Sequence, residues 1–294
     1  MAKDLLEQFG DIVTTNASLA QRTCFKTGGA ADYLASPNDV EQLRRLVQFC
    51  RAADLPFRVL GGGSNILVPD DGYHGLVIEL DAPAFRTIEV DRTLVRAGAG
   101  APLAELISES CKAGLSGLEV LAGIPGTVGG AVQKNAGGRA GDVGQFIHSV
   151  EIVNAEGKSE TLGRSAVRFG YRQSDLVDAV IVAATVQLVP DKPEDVVRRI
   201  KKVWIRKQSN QPFGFQNAGY AFRNPRGLSA AELLEKAGVR GTKVGGAEIS
   251  DRDPRYVVAN PGATSRDVRQ LMELVVQRVE EQTGVRLELH VDVW

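Results

Sequence analysis

Apolar residues recur along this chain with two periods, and the alternation between them sets the expected elements. From Asn38, which can cap a helix with Glu41 three residues on, Leu43, Leu46, Val47 and Cys50 follow at helical spacing, and Pro56 lies beyond the end. Short strands are expected at Phe57–Leu60, Ile66–Val68 and Gly75–Leu80, with a glycine cluster between the first two. Residues 86–97 read as a two-strand ribbon turning near Asp91 and Arg92, and Pro102 opens a helix carrying Leu103, Leu106 and Ile107. Strands resume at Val150–Val153 and from Val180 to Val189, and Pro190–Pro193 reads as a linker. A helix with Val196, Val197, Ile200 and Val203 comes next. The last helix carries the fullest signal: Thr264 and Asp267 form a capping-box pattern, Val268, Leu271, Met272, Val275 and Val279 make the stripe, and Gly284 ends it. Short strands mixed with occasional helices, and no internal repeat, predict an α+β fold rather than a regular βαβ wind.

Composition narrows the class. At 43% hydrophobic and 24% charged residues, the chain is too apolar for a disordered protein. Its formal net charge is −1, so nothing favours a nucleic-acid face or an acidic tail. The basic run Arg198-Arg199-Ile200-Lys201-Lys202 reads first as a solvated helix face and second as a patch for an anionic substrate. Cys24, Cys50 and Cys111 form no CxxC or Cys/His cluster, which supports neither a disulfide framework nor a zinc or other metal site. No signal-peptide pattern and no apolar run near ~20 residues is present, so a cytoplasmic setting away from membranes is expected.

Glycine is the outlier. The 294 residues include 32 glycines, about 11% against roughly 7% in ordinary proteins. Two clusters hold much of the excess. Gly61-Gly62-Gly63-Ser64-Asn65 lies between two strands, where successive N–H groups can converge on an anion. It lacks both the Rossmann and the P-loop spacings. Between Gly114 and Gly144, 10 of 31 residues are glycine, centred on Gly123-Ile124-Pro125-Gly126-Thr127-Val128-Gly129-Gly130, with Asn135 following. A turn needs far fewer; close approach of backbone to a large flat or phosphorylated ligand accounts for the density better. Two further motifs are Phe169-Gly170-Tyr171-Arg172-Gln173-Ser174, whose arginine could hold a carboxylate, and Gln211-Pro212 followed by Asn217-Ala218-Gly219-Tyr220-Ala221-Phe222-Arg223-Asn224-Pro225.

These four motifs, in this order, resemble the UDP-N-acetylenolpyruvoylglucosamine reductase family, also called UDP-N-acetylmuramate dehydrogenase, in its shorter class. The resemblance runs from about Thr23 to Trp294. It implies a flavin-binding fold of the vanillyl-alcohol-oxidase type, with two FAD-holding subdomains (residues 1–80 and 81–190) and a substrate domain (191–294). It also implies FAD as cofactor, NADPH as hydride source and a nucleotide-sugar precursor of peptidoglycan as substrate. Gly61, Gly62, Gly63, Ser64, Asn65, Gly123, Ile124, Pro125, Gly126, Thr127, Gly129, Gly130 and Asn135 match the family's FAD contacts, and Arg172 matches its arginine at the enolpyruvyl carboxylate. Tyr171, Arg206, Lys207 and Arg223, with Lys243 a weaker choice, are the candidates for substrate binding.

The substrate half departs from the family's pattern. The family places Ser, sometimes Cys, as proton donor after the glycine; here Tyr220 follows Gly219. The family ends Leu-Glu-x-Glu-Val; here Leu287-Glu288-Leu289-His290-Val291 puts His290 at the second Glu. The family's His-Ala-Asn-Phe becomes Asp253-Pro254-Arg255-Tyr256. Tyrosine, with a pKa of ~10, can protonate a strongly basic carbanion, and a protonated histidine could stabilise an enolate. Three readings stay open: a reductase of the family's type with Arg172, Tyr220 and His290 as catalytic residues, a flavin-bearing homologue that binds without this reduction, and a flavin oxidoreductase with another substrate.

Overall fold

The computed structural model describes residues 2–138, 140–210 and 217–294. The described chain falls into two compact units, and it passes between them at residues 15–16, 32–33, 62–63, 74–75 and 206–207. Each has its own apolar core, one built around Leu43, Leu76, Phe85, Leu106 and Val150, the other around Phe25, Phe222, Leu234, Leu271 and Val275.

Two sheets lie wholly or partly in the first unit. One is ordered Val13–Ser18, Ala30–Ala35, Tyr73–Glu79, Phe57–Leu60, and its last pair is parallel. The other is antiparallel throughout, ordered Ser159–Gly163, Ile147–Val153, Val180–Gln187, Leu94–Gly98, Ile88–Asp91. The expected ribbon is thus Ile88–Asp91 with Leu94–Gly98, and Arg92 takes the left-handed turn position at φ 54°.

The unit's helices are α1 (Ala2–Phe9), α2 (Val40–Ala52), α3 (Leu103–Lys112), α4 (Val128–Gln133) and most of α5 (Pro193–Asn210). Leu43, Leu46, Val47 and Cys50 are the buried stripe of α2, as their spacing predicts. The cap is Asp39 rather than Asn38: Asp39 Oδ1 accepts the Gln42 N–H at 2.8 Å, while Gln42 Oε1 reaches back to the Asn38 N–H. A capping carboxylate is favoured one residue closer to the helix because it also meets the positive end of the dipole. Pro190–Pro193 lies inside this unit, where Val189 and Pro190 pair with Ser116 and Leu115. On α5, Arg199 ties Glu119 at 2.7 Å and Asp191 at 2.6 Å, so one member of the basic run is spent on the fold.

The second unit holds the antiparallel sheet Ala218–Tyr220, Tyr256–Ala259, Ala247–Ile249, Lys243–Val244, with α6 (Ala230–Lys236) and α7 (Ser265–Thr283). The capping box at Thr264 and Asp267 forms, and Gly284 closes α7 at φ 70°. A contact that no local pattern announces reinforces that helix start: the Asp70 carboxylate accepts the N–H groups of Ser265 at 2.8 Å and Arg266 at 2.9 Å. The C-terminal segment closes the unit, with Asp292–Val293 running parallel to Ile66–Leu67.

Candidate active site

The two glycine clusters meet in the first unit. A Cβ on Gly62 would stand 2.8 Å from Gly126 Cα, and one on Gly61 would stand 2.7 Å from Thr127 Oγ1. Backbone therefore lies directly on backbone, which only glycine permits. Gly126 and Gly123 also sit at φ 113° and 75°. Thr127 caps α4, a short helix that forms although Val-Gly-Gly-Ala-Val-Gln has poor helix propensity.

The helix start itself is not open to a ligand. The N–H groups of Val128 and Gly129 donate to Ala101 and Ala99 at 2.9 and 2.8 Å, and that of Gly130 to Thr127 Oγ1 at 3.4 Å. Gly129 is required by packing, since a Cβ would meet that of Ala99 at 2.8 Å, whereas one on Gly130 would touch only Thr127 Oγ1, at 3.5 Å, and Gly138 faces open space. Ile124 is half-buried and Pro125 exposed beside them. The cradle is backbone without side chains at Gly61, Gly62, Gly126 and Gly130, edged by the Thr127 hydroxyl. That donor chemistry fits the pyrophosphate and flat ring of a dinucleotide cofactor.

The Asn135 side chain also ties two backbone segments together. Asn135 is buried at φ 42°, donates Nδ2 to the Gly170 carbonyl at 2.9 Å and accepts the Gly144 N–H at 3.0 Å. Its amide thus holds the hairpin of Phe169–Gly170 and Gln173–Ser174, whose two-residue tip is Tyr171-Arg172. Arg172 sits there at φ 59°, a conformation that costs a non-glycine residue roughly 1 kcal/mol. Its guanidinium lies 5.7 Å from the centroid of the exposed Tyr171 ring. An arginine kept at a glycine position points to a task for its side chain. Arg206 is exposed on α5 in the same unit.

Gly63, Ser64 and Asn65 belong to the second unit. A Cβ on Gly63 would meet the Arg22 carbonyl at 1.9 Å, and Asn65 Nδ2 donates to the His290 carbonyl at 2.9 Å. Asn65 therefore anchors the C-terminal segment, whose register is fixed again by the His290 N–H donating to the Ala221 carbonyl at 2.7 Å. Tyr220 and His290 come together, their rings edge to face at 5.3 Å, and Tyr256 meets Tyr220 at 5.3 Å and 84° from the facing strand. Arg255 completes the group, with its guanidinium carbon 5.4 Å from the Tyr220 centroid. Four residues from three separate segments thus form one cluster. Only the long-range pairing of the strands reveals this.

Electrostatics differ within the cluster. Hydrogen bonding to Asp253 pushes the Arg255 guanidinium well above its usual range, so it stays charged. Burial, then the Asp253 charge, push the Tyr256 hydroxyl up. Of the remaining candidates, Lys207 is half-buried, Lys243 pairs with Glu248 at 3.2 Å, and Arg223 lies 3.6 Å from Glu288. Arg223 Nε is buried with no hydrogen-bond partner among the described residues. Gln211 and Pro212 lie outside the described residues.

A side-chain-free cradle in a strand-rich α+β unit, in a chain whose second unit gathers titratable rings, is that of a flavin-dependent oxidoreductase on an FAD-binding fold. Comparison with known proteins agrees: the FAD binding domain model matches residues 31–163, and the model for the UDP-N-acetylenolpyruvoylglucosamine reductase C-terminal domain matches residues 211–294. The chain belongs to the UDP-N-acetylenolpyruvoylglucosamine reductase family. It is 39% identical over 283 residues to the reductase of that name from Moorella thermoacetica, covering 96% of this chain and 93% of that one. It is 35% identical to one from Clostridium botulinum, covering 99% and 96%. The crystal structure of the Thermus caldophilus reductase superposes with TM-score 0.82 at 36% identity, covering 95% and 97%. A glucose dehydrogenase, Phl p 4.0202, shares the fold alone, at 20% identity and TM-score 0.53 over 65% of this chain and 44% of that one.

Proposed function

We propose that this chain reduces UDP-N-acetylglucosamine enolpyruvate to UDP-N-acetylmuramate, a step of peptidoglycan precursor synthesis, in the cytoplasm. What carries the reading is the match over nearly the whole length to reductases of this name. Bound FAD supplies the hydride relay from NADPH to the enolpyruvyl double bond. The loops at Gly61–Asn65 and Gly123–Gly130 hold that cofactor, the first through backbone and the Ser64 hydroxyl, the second through backbone and Thr127. Segments 1–80 and 81–190 serve the flavin and 191–294 the substrate.

Arg172 takes the substrate carboxylate, where a planar fork can bind both oxygens. Its charge stabilises the enolate-like anion that forms when hydride adds to the neighbouring carbon. Tyr220 gives the proton that completes the reduction, and His290 stabilises the developing charge when protonated. Arg206, Lys207 and Arg223 serve the nucleotide-sugar phosphates, and Tyr171 is a further substrate contact. Binding of FAD without turnover is the second reading, and the aromatic packing of Tyr220 among Tyr256 and His290 is what favours it.

One assay separates the two. FAD-loaded protein is mixed with NADPH and the enolpyruvyl substrate, and NADPH loss and product are followed together. Stoichiometric loss and product are expected. Retained FAD with no turnover would overturn the reductase reading.

A further inference from the structure

Arg255 is held as few surface arginines are. Its Nε donates to Asp253 Oδ1 at 2.8 Å and its Nη2 to Oδ2 at 2.5 Å, while its own N–H donates to Oδ1 at 3.0 Å. Asp253 is only 4% exposed, and its N–H is drawn toward Ser250 Oγ at 3.5 Å. The fork is therefore fixed in direction, because a bidentate pair on a buried carboxylate leaves one geometry. That direction brings the guanidinium against Tyr220, its carbon 5.4 Å from the ring centroid. Tyr256 and His290 already pack against the ring, so Arg255 is not needed to wedge it in place.

We propose that Arg255 is a positioning residue for Tyr220: it aims the phenol hydroxyl and stabilises the phenolate left when that hydroxyl gives up its proton. The proposal rests on the reductase reading, in which Tyr220 is the proton donor. Reduction of the double bond takes a hydride at one carbon and a proton at the other. The Tyr220 O–H bond breaks, a C–H bond forms on the substrate, and the electron pair stays on the phenolate oxygen until water returns a proton. A guanidinium fixed against that phenol favours the charged form.

Four ionisable side chains surround this hydroxyl's ring among the described residues: Arg255 above it, Asp253 behind Arg255, Tyr256 on the paired strand and His290 on the C-terminal segment. Tyr256 is pushed the other way by burial and by Asp253, so it stays a phenol and does not compete.

The test reads phenolate absorbance in the near ultraviolet as pH rises, on FAD-loaded protein, taking the difference between the unaltered chain and Tyr220→Phe. The Tyr220 midpoint is expected at or below the ordinary ~10. It is expected to rise by about one unit, tenfold in the ionisation constant, in Arg255→Gln, and to stay near its original value in Arg255→Lys. The alkaline limb of kcat moves with it, and kcat falls about tenfold in Arg255→Gln while KM changes less. A midpoint that Arg255→Gln leaves unmoved overturns the proposal. Should Arg255→Gln not fold, a Tyr220 midpoint above ~10 in the unaltered chain overturns it as well. A shifting midpoint in a chain that never turns over supports the pairing and overturns the reductase reading instead.

Discussion

The rings of Tyr220 and His290 meet edge to face, with centroids 5.3 Å apart and planes at 87°. They come from segments far apart in the chain, and they touch each other. Replacing either one alone leaves the other against a hole shaped for its partner. Tyr220→Ser and His290→Glu are therefore expected to couple by about 0.5–3 kcal/mol in a double-mutant cycle of urea unfolding. The double change should recover turnover that each single change loses. Strict additivity in both stability and kcat would show that the two sites act independently.

The contact of the two glycine loops gives a second expectation. Gly62→Ala places a methyl 2.8 Å from the Gly126 backbone, which cannot rotate away. FAD should be lost more readily and the unfolding midpoint should fall. Gly138→Ala is the control, since nothing lies within 4 Å of the added carbon and its φ is not positive. Flavin retained per protein after dialysis compares them. Equal retention would separate the loop contact from cofactor binding.

Arg172 offers a test in which stability and activity part company. Its φ of 59° suits glycine and strains any residue with a Cβ. Arg172→Gly should be more stable than Arg172→Ala by about 1 kcal/mol in chemical denaturation. Both should lose about 10- to 100-fold in kcat/KM, the worth of a hydrogen bond to a charged group. If the alanine form proves as stable as the glycine form, the turn carries no strain.

Acid sensitivity should report on the start of α7. Hydrogen bonds from the backbone N–H groups of Thr264, then Gly246, hold the Asp267 carboxyl below the usual carboxylate range. A depressed folded-state value means the stabilisation is fully present above the unfolded pKa of about 3.9 and is lost as pH falls through the folded value. Urea midpoints measured downward from about pH 5 should therefore drop less steeply in Asp267→Asn than in the unaltered chain. Parallel curves would mean that Asp267 titrates alike folded and unfolded.

Much of the local structure was legible in the sequence. The α2 and α7 stripes, the capping box and the Arg92 turn depend on residues within a few positions of one another, and local periodicity records them. The two glycine clusters were also visible, because only close backbone approach explains so many residues without side chains. Which glycines serve the ligand and which serve packing was not visible. Gly129 answers to Ala99, and Gly63 to Arg22, partners 30 and 41 positions away in a chain whose spacing says nothing of them. Asn135 and Asn65 look alike in sequence as amides beside glycine loops, yet one holds the Arg172 hairpin and the other the His290 carbonyl.

The sequence by itself determined the most regular elements, the two glycine clusters and the family, and it singled out Tyr220, Asp253–Tyr256 and His290. Only the tertiary structure decided that those residues are one cluster. The strand pairing that sets Tyr220 opposite Tyr256, and the backbone bond that sets His290 beside Ala221, join segments far apart in the chain. Contacts of that kind follow from the packing of a whole core, and no local spacing encodes them.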